Sequence, residues 1–167
     1  MSDISEKLLC QFISVERINE IDKWIAKYPV DQKQSAVMIA LHIVQDEHGY
    51  LTSQLMDAVA DYLDMPAIAV YEVASFYTMY EKKAIGRNLI NICTNISCQL
   101  AGSATVVTYL QDKFGIKLGD TTADGRFTIR AVECLGACVN APMMQINKDY
   151  HENLNNDKID QVLEQYQ

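Results

Sequence analysis

Residues 88–115 read NLINICTNISCQLAGSATVVTYLQDKFG, and the period of the chain changes within this stretch. Asn88, Ile90 and Ile92 alternate with Leu89, Asn91 and Cys93, the two-residue period of a half-buried strand. Residues 104–114 then carry Val106, Val107, Leu110 and Phe114 at helical spacing, with Gly115 as a stop signal. Working towards the C-terminus, Asp124-Gly125 is a turn signal leading into a second strand at 127–133, and a third strand follows at 143–147. Residues 149–153 suggest a hairpin return. The Asn155-Asn156 cap region opens a last helix with Ile159, Val162, Leu163 and Tyr166 on its apolar face. The order β-α-β-β-β-α points to an α/β layer.

Working towards the N-terminus, the pattern from Ser14 to Tyr80 is helical throughout. Val15, Ile18, Ile21 and Ile25 mark a first helix, stopped near Pro29. A second is expected over 32–45, with Asp31 as N-cap, Ala36, Ile39, Ala40 and Ile43 on one face, and Gly49 beyond its end. A third begins after Thr52, shows Leu55, Met56, Val59 and Leu63, and ends before Pro66. A fourth starts at Pro66, which suits a first helical turn, and runs through Val70 and Val73 to about Tyr77. Short connections favour a small bundle. The expected division is therefore a helical N-terminal domain over 1–84 and an α/β domain over 85–167.

The chain has 167 residues, 14 Lys plus Arg and 22 Asp plus Glu, for a net charge of −8. The length allows one domain or two small ones. The acidic balance and the lack of a basic cluster exclude nucleic-acid binding, which needs a cationic footprint; the pair Lys82-Lys83 is too short to supply one. The longest apolar run, 36–44, is far short of a membrane span, so no direct membrane insertion is expected. Asp3 and Glu6 stand where a secretory signal would be basic, and the expected compartment is the reducing cytosol.

In that compartment five cysteines make a poor disulfide framework. Cys10 stands alone and is expected to be a simple free thiol. Cys93 and Cys98 form one close pair, Cys134 and Cys138 another, each directly after an expected strand, so that a folded sheet could bring the two loops together. Spacing alone permits a structural zinc site, a two-iron cluster or unrelated buried cysteines. The small or apolar Leu135, Gly136, Ala137 and Val139 favour iron, because they could shield sulfide and leave backbone N–H groups free to point at sulfur; Thr94, Asn95 and Ser97 add possible donors. Thiol–disulfide chemistry ordinarily uses CxxC, and none occurs here.

The blocks CTNISCQLAGS from Cys93 and VECLGACVNAPMMQINKDYHENL from Val132, with GYLT at 49–52 and ASFYTMY at 74–80, closely resemble the peripheral E-type [2Fe-2S] subunit of NADH:quinone oxidoreductase, respiratory complex I. The resemblance covers most of the chain and implies a helical N-terminal portion followed by a thioredoxin-like [2Fe-2S] ferredoxin domain. Carried over, the cofactor- and metal-binding residues are Cys93, Cys98, Cys134 and Cys138, with no catalytic residue in the chain. It also implies electron transport as part of an NADH dehydrogenase. FMN and NADH would sit on a partner, the flavin/NADH-binding subunit, with the cluster near that flavin as a side acceptor of single electrons. Other peripheral-arm subunits would complete a complex that passes electrons from NAD chemistry to quinone on the cytoplasmic side of the inner membrane. The same fold family includes the diaphorase subunits of NAD-linked hydrogenases and formate dehydrogenases, and shorter stand-alone ferredoxins; the long helical half fits the subunits better. A zinc-stabilised interaction module, with the same four cysteines on one zinc, is the rival of a different class.

The chain has no GxGxxG or other Gly-rich phosphate loop, so nothing suggests that it binds NADH or flavin itself. A low-potential centre is expected, since reduction adds negative charge to an already acidic protein. His42, His48 and His151 are expected in surface or packing roles. The stretch 74–80 is expected to be either core or partner interface, and Glu133 to be solvated. Pro142 resembles the cis-proline position of thioredoxin-like folds, yet X-Pro bonds are ordinarily trans, and trans is the expectation.

Overall fold

The computed structural model describes residues 8–166; the reading from Asp3 and Glu6 lies outside them. The chain divides into two compact units, Met1–Ala84 and Ile85–Gln167.

In the first unit a 3-10 turn at Leu8–Gln11 precedes α1 (Val15–Ile25), α2 (Val37–His48), α3 (Ser53–Leu63) and α4 (Ala67–Phe76). Burying Leu9, Ile21, Leu41, Val44, Leu51, Val59, Leu63 and Val70 among these elements removes large apolar side chains from water, each worth about 1.5–3 kcal/mol before entropy is counted. The buried hydroxyls are satisfied inside the unit. Tyr62 donates to Asp22 Oδ1 at 2.6 Å, tying α3 to α1, and Tyr80 donates to the Met38 carbonyl at 2.8 Å. The second helix departs from expectation. Residues 30–36 form 3-10 structure with Gln32 off the helical region at φ −120°, and the α-helix starts only at Val37, so Asp31 is not its N-cap. Its buried face is also wider than expected: Leu41 and Val44 are fully covered, whereas Ile39 is partly so. Thr52 and Gly49 behave as expected. The Thr52 hydroxyl accepts from Leu55 N–H, and Gly49 ends α2 at φ +81°. Pro66 caps α4 rather than opening it. The stretch 74–80 is split: Ala74 and Tyr80 are core, while Phe76, Tyr77 and Met79 are exposed.

The second unit is a four-stranded sheet, β1 (Asn88–Cys93), β2 (Phe127–Val132), β3 (Met144–Ile146) and β4 (Asp149–His151), in the order β2-β1-β3-β4. β1 pairs parallel with β2 and antiparallel with β3, which pairs antiparallel with β4. The connection from β1 to β2 runs through α5 (Ile96–Leu100) and α6 (Ser103–Phe114), and α7 (Asn156–Leu163) follows β4. Ile90 and Ile92 of β1, Phe127 and Ile129 of β2, and Met144 and Ile146 of β3 form a core with Val106 and Leu110 of α6 and Ile159, Val162 and Leu163 of α7. Tyr109 donates to Asp160 Oδ1 at 2.6 Å, and Lys113 pairs with the same carboxylate, joining α6 to α7. Gly86 lies where a side chain would not fit, because a Cβ there would stand 2.8 Å from the Phe127 carbonyl carbon. The short α5 forms where the sequence suggests only a loop.

Two register facts position the site. In the parallel ladder Cys93 stands opposite Val132, so the chain leaves β1 and β2 at the same end of the sheet. Cys93 N–H donates to the Met143 carbonyl at 3.2 Å, which brings the segment entering β3 to that end as well. The Ala141-Pro142 bond in this segment is cis, against the trans expectation.

Candidate metal centre

All four paired cysteines gather at this sheet end. Cys93 is the last residue of β1, and Cys98 lies in α5, whose N-cap Asn95 accepts from Ile96 N–H through its side chain. Asn95 directly after a strand and its loop residue is the signal that could have revealed this helix. Cys134 follows β2 by two residues, and Cys138 opens a 3-10 turn at Cys138–Asn140. Cys93 and Cys98 are both 2% exposed and pack with Met143, Leu135, Ala137 and Ala141. Cys134 and Cys138 are exposed, with their Sγ atoms 3.7 Å apart.

The surroundings of the sulfurs differ. Burial raises the Cys93 thiol, but N–H donors from Leu135 and Asn95 and a hydrogen bond with Cys98 outweigh it, and the thiol is lowered. Leu135 lies in the second cysteine loop, so this bond joins the two loops at sulfur. Burial, and then the contact with Cys93, push the Cys98 thiol up to about 11, while Met143 N–H works the other way; charge on Cys138 also reaches it. Gly136, at φ +86°, turns its N–H to Cys134 Sγ at 3.4 Å. Gly136 therefore donates its backbone N–H to sulfur, and the amides of Leu135 and Asn95 act to lower the Cys93 thiol, as their place in the loops suggested. Thr94 does not: its N–H and its hydroxyl both donate to the Val132 carbonyl, at 3.0 and 3.1 Å.

The donor set fits a two-iron group in its chemistry: four thiols in two pairs carried to one end of the sheet, one pair buried and one at the surface, with the Gly136 N–H on the Cys134 sulfur. Among the described residues no three His, Cys, Asp or Glu side chains stand close enough together to hold a metal ion, so the four thiols are not drawn together around one centre. The histidines are engaged elsewhere. His48 Nε2 lies 2.9 Å from the Phe12 carbonyl, His42 stands near Asp46, and His151 hydrogen-bonds with Tyr166. Cys10 packs on the helical core of the first unit. Glu133, expected to be solvated, is exposed but accepts from Asn95 Nδ2 at 2.9 Å.

Comparison with known proteins agrees with this geometry. The family model for the thioredoxin-like [2Fe-2S] ferredoxin matches residues 21–167. The chain is 45% identical over 147 residues to the second E-type subunit of the NADH-quinone oxidoreductase of Rhizobium meliloti (strain 1021), covering 88% of this chain and 86% of that one. It is 42% identical over 153 residues to the corresponding E-type NADH-quinone oxidoreductase subunit of Rickettsia conorii, covering 91% and 92%. Among solved structures, the NAD+-reducing [NiFe]-hydrogenase in its H2-reduced state superposes with a TM-score of 0.68 at 25% identity, over 78% of this chain and 22% of the hydrogenase chain. Matched by its family model over most of its length, and by relatives over nearly all of theirs, the chain belongs to the thioredoxin-like [2Fe-2S] ferredoxin family, among the E-type subunits of NADH-quinone oxidoreductase.

Proposed function

We propose that Cys93, Cys98, Cys134 and Cys138 hold one [2Fe-2S] cluster, and that the chain passes electrons one at a time within an NADH:quinone oxidoreductase. The supporting observation is that the two thiol pairs stand at one sheet end, with the Gly136 N–H on the Cys134 sulfur and the amides of Leu135 and Asn95 lowering the Cys93 thiol. Such a cluster supplies one-electron chemistry when bound. The chain's own part is to hold it: amide dipoles stabilise anionic sulfur, and burial of Cys93 and Cys98 keeps water from one side. On this reading residues 85–167 are the cluster domain and residues 1–84 a separate helical domain.

The side of the site at Cys134 and Cys138 is open, and exposed Ile96, Leu100 and Val139 neighbour the cysteines in sequence. Apolar side chains beside an exposed redox site suit a docking partner. The partner we assign is the flavin/NADH-binding subunit, carrying FMN and NADH, because this chain has no Gly-rich phosphate loop of its own. Among the described residues no helix is long and apolar enough to cross a membrane. We assign it a place among the peripheral-arm subunits, on the cytoplasmic side of the inner membrane, a reading that its likeness to the E-type relatives supports. The likeness to the hydrogenase supports a second reading, a diaphorase subunit of an NAD-linked hydrogenase.

The test is analysis of the chain purified with its co-purifying subunits. About two irons and two acid-labile sulfides per chain, and an EPR signal after dithionite reduction, are expected. A colourless chain with one zinc and no labile sulfide overturns the proposal. A nickel-containing partner in place of membrane-arm subunits selects the hydrogenase reading.

A further inference from the structure

The structure assigns Asn95 and Glu133 a positioning role: a polar bridge that fixes the two cysteine loops relative to each other and holds a negative charge beside the cluster. The assignment rests on reading the four-thiol site as a [2Fe-2S] centre. Asn95 acts in two directions at once. Its Oδ1 accepts from Ile96 N–H at 2.9 Å, capping the helix that carries Cys98. Its Nδ2 donates to Glu133 Oε2 at 2.9 Å, and Glu133 immediately precedes Cys134. One residue thus joins the helix holding Cys98 to the start of the loop holding Cys134 and Cys138.

A second tie between the loops is of a different kind. Thr94 donates its N–H and its hydroxyl to the Val132 carbonyl at strand level, with no charged side chain involved. A carboxylate in this place adds something that a loop tie does not need, a fixed negative charge near the redox site. The Glu133 carboxylate is held by Asn95, two residues after Cys93, and stands immediately before Cys134, so its charge lies between the two ligand loops. The field of that charge opposes arrival of an electron on the cluster, since charge and hydrogen bonding at the sulfurs set the potential. Partners one step removed from a metal's ligands contribute to retention as well as to tuning.

The two roles separate by substitution in the full chain with its subunits. Glu133→Gln keeps an oxygen to accept from Asn95 but removes the charge: the midpoint in an EPR-monitored redox titration moves positive, with cluster retention near that of the wild type. Glu133→Ala removes charge and bridge together: the midpoint moves positive, and release of iron to a ferrous chelator speeds up about tenfold. Asn95→Asp retains an oxygen for the Ile96 cap and sets it against Glu133: iron release speeds up. Wild-type midpoints in both Glu133 variants overturn the electrostatic part, and wild-type release rates in Glu133→Ala and Asn95→Asp overturn the bridge. If the wild-type chain itself holds no iron and labile sulfide, the reading beneath the inference fails; if it holds both and the variants match it, the inference alone fails.

Discussion

Cys10 differs from the other four cysteines in its company. It packs half-buried against the helical core, while the other four stand in two pairs at one end of the sheet, Cys93 with Cys98 and Cys134 with Cys138. The cysteine count is therefore four plus one, which the spacing in the sequence already suggested. The amide donors were legible only as small residues between the second pair. That Leu135 reaches across to Cys93 depends on the parallel register, and that Thr94 turns away to Val132 depends on the same ladder. The resulting prediction is a contrast between single substitutions. Cys98→Ser and Cys138→Ser each remove a soft anionic donor from a complete set and should cost most of the iron and labile sulfide per chain. Cys10→Ala should leave both at the wild-type level. Loss of the cluster in the Cys10 variant would mean that the ligands are assigned wrongly.

Elements were legible where a cap or a strong period marks them. Asn88–Cys93 matches its alternation, and Gly49, Thr52, Gly115 and Asn155 stand at helix ends. The start of α2 was not legible, because Asp31 looks like a cap while the chain after Pro29 tightens into 3-10 structure first. The five-residue α5 is too short to show a period, and its only signal is Asn95. Thr52 offers a measurable case. Its Oγ1 accepts from Leu55 N–H at 3.2 Å, so Thr52→Ala should lower the stability of the helical unit by about 1 kcal/mol in urea unfolding, and Thr52→Ser should restore most of it. The hydroxyls that join helices give a pH dependence. Burial pushes Tyr80 up to about 12, and burial and then the Asp22 contact raise Tyr62 as well. An unfolded tyrosine releases its proton near pH 10, so the folded unit holds more protons above that point. The stabilisation is fully present below about pH 10 and is lost as pH rises from there through the folded values. Unfolding midpoints of the wild type should fall between about pH 10 and pH 12, and those of Tyr80→Phe should fall less steeply. Parallel slopes for the two proteins would remove Tyr80 from the account.

At the scale of the whole molecule the acidic balance is unevenly divided. Residues 1–84 hold seven Lys plus Arg against thirteen Asp plus Glu, net −6, whereas residues 85–167 hold seven against nine, net −2. The net charge of −8, which led from the sequence to the expectation of a low potential, thus belongs mostly to the helical unit and not to the unit with the thiols. Screening decides how much of it the cluster can feel. At about 0.01 M salt the Debye length is about 30 Å, and charges throughout a small domain contribute; at about 1 M it is about 3 Å, and only charges in near contact remain. Glu133, which bonds Asn95 and directly precedes Cys134, is a charge held beside the ligand loops, where screening acts least. In a redox titration of the loaded chain the midpoint should therefore be negative, and it should become less negative as salt rises from about 0.01 M to about 1 M, because acidic groups not in near contact with the cluster are screened out. In Glu133→Gln the salt-dependent change should persist, while the value reached at high salt should lie above that of the wild type. A clearly positive midpoint would sink the low-potential expectation. A midpoint indifferent to salt in both proteins would show that the helical unit's acidity has no part in setting it, leaving the potential to the sulfurs, their amide donors and Glu133.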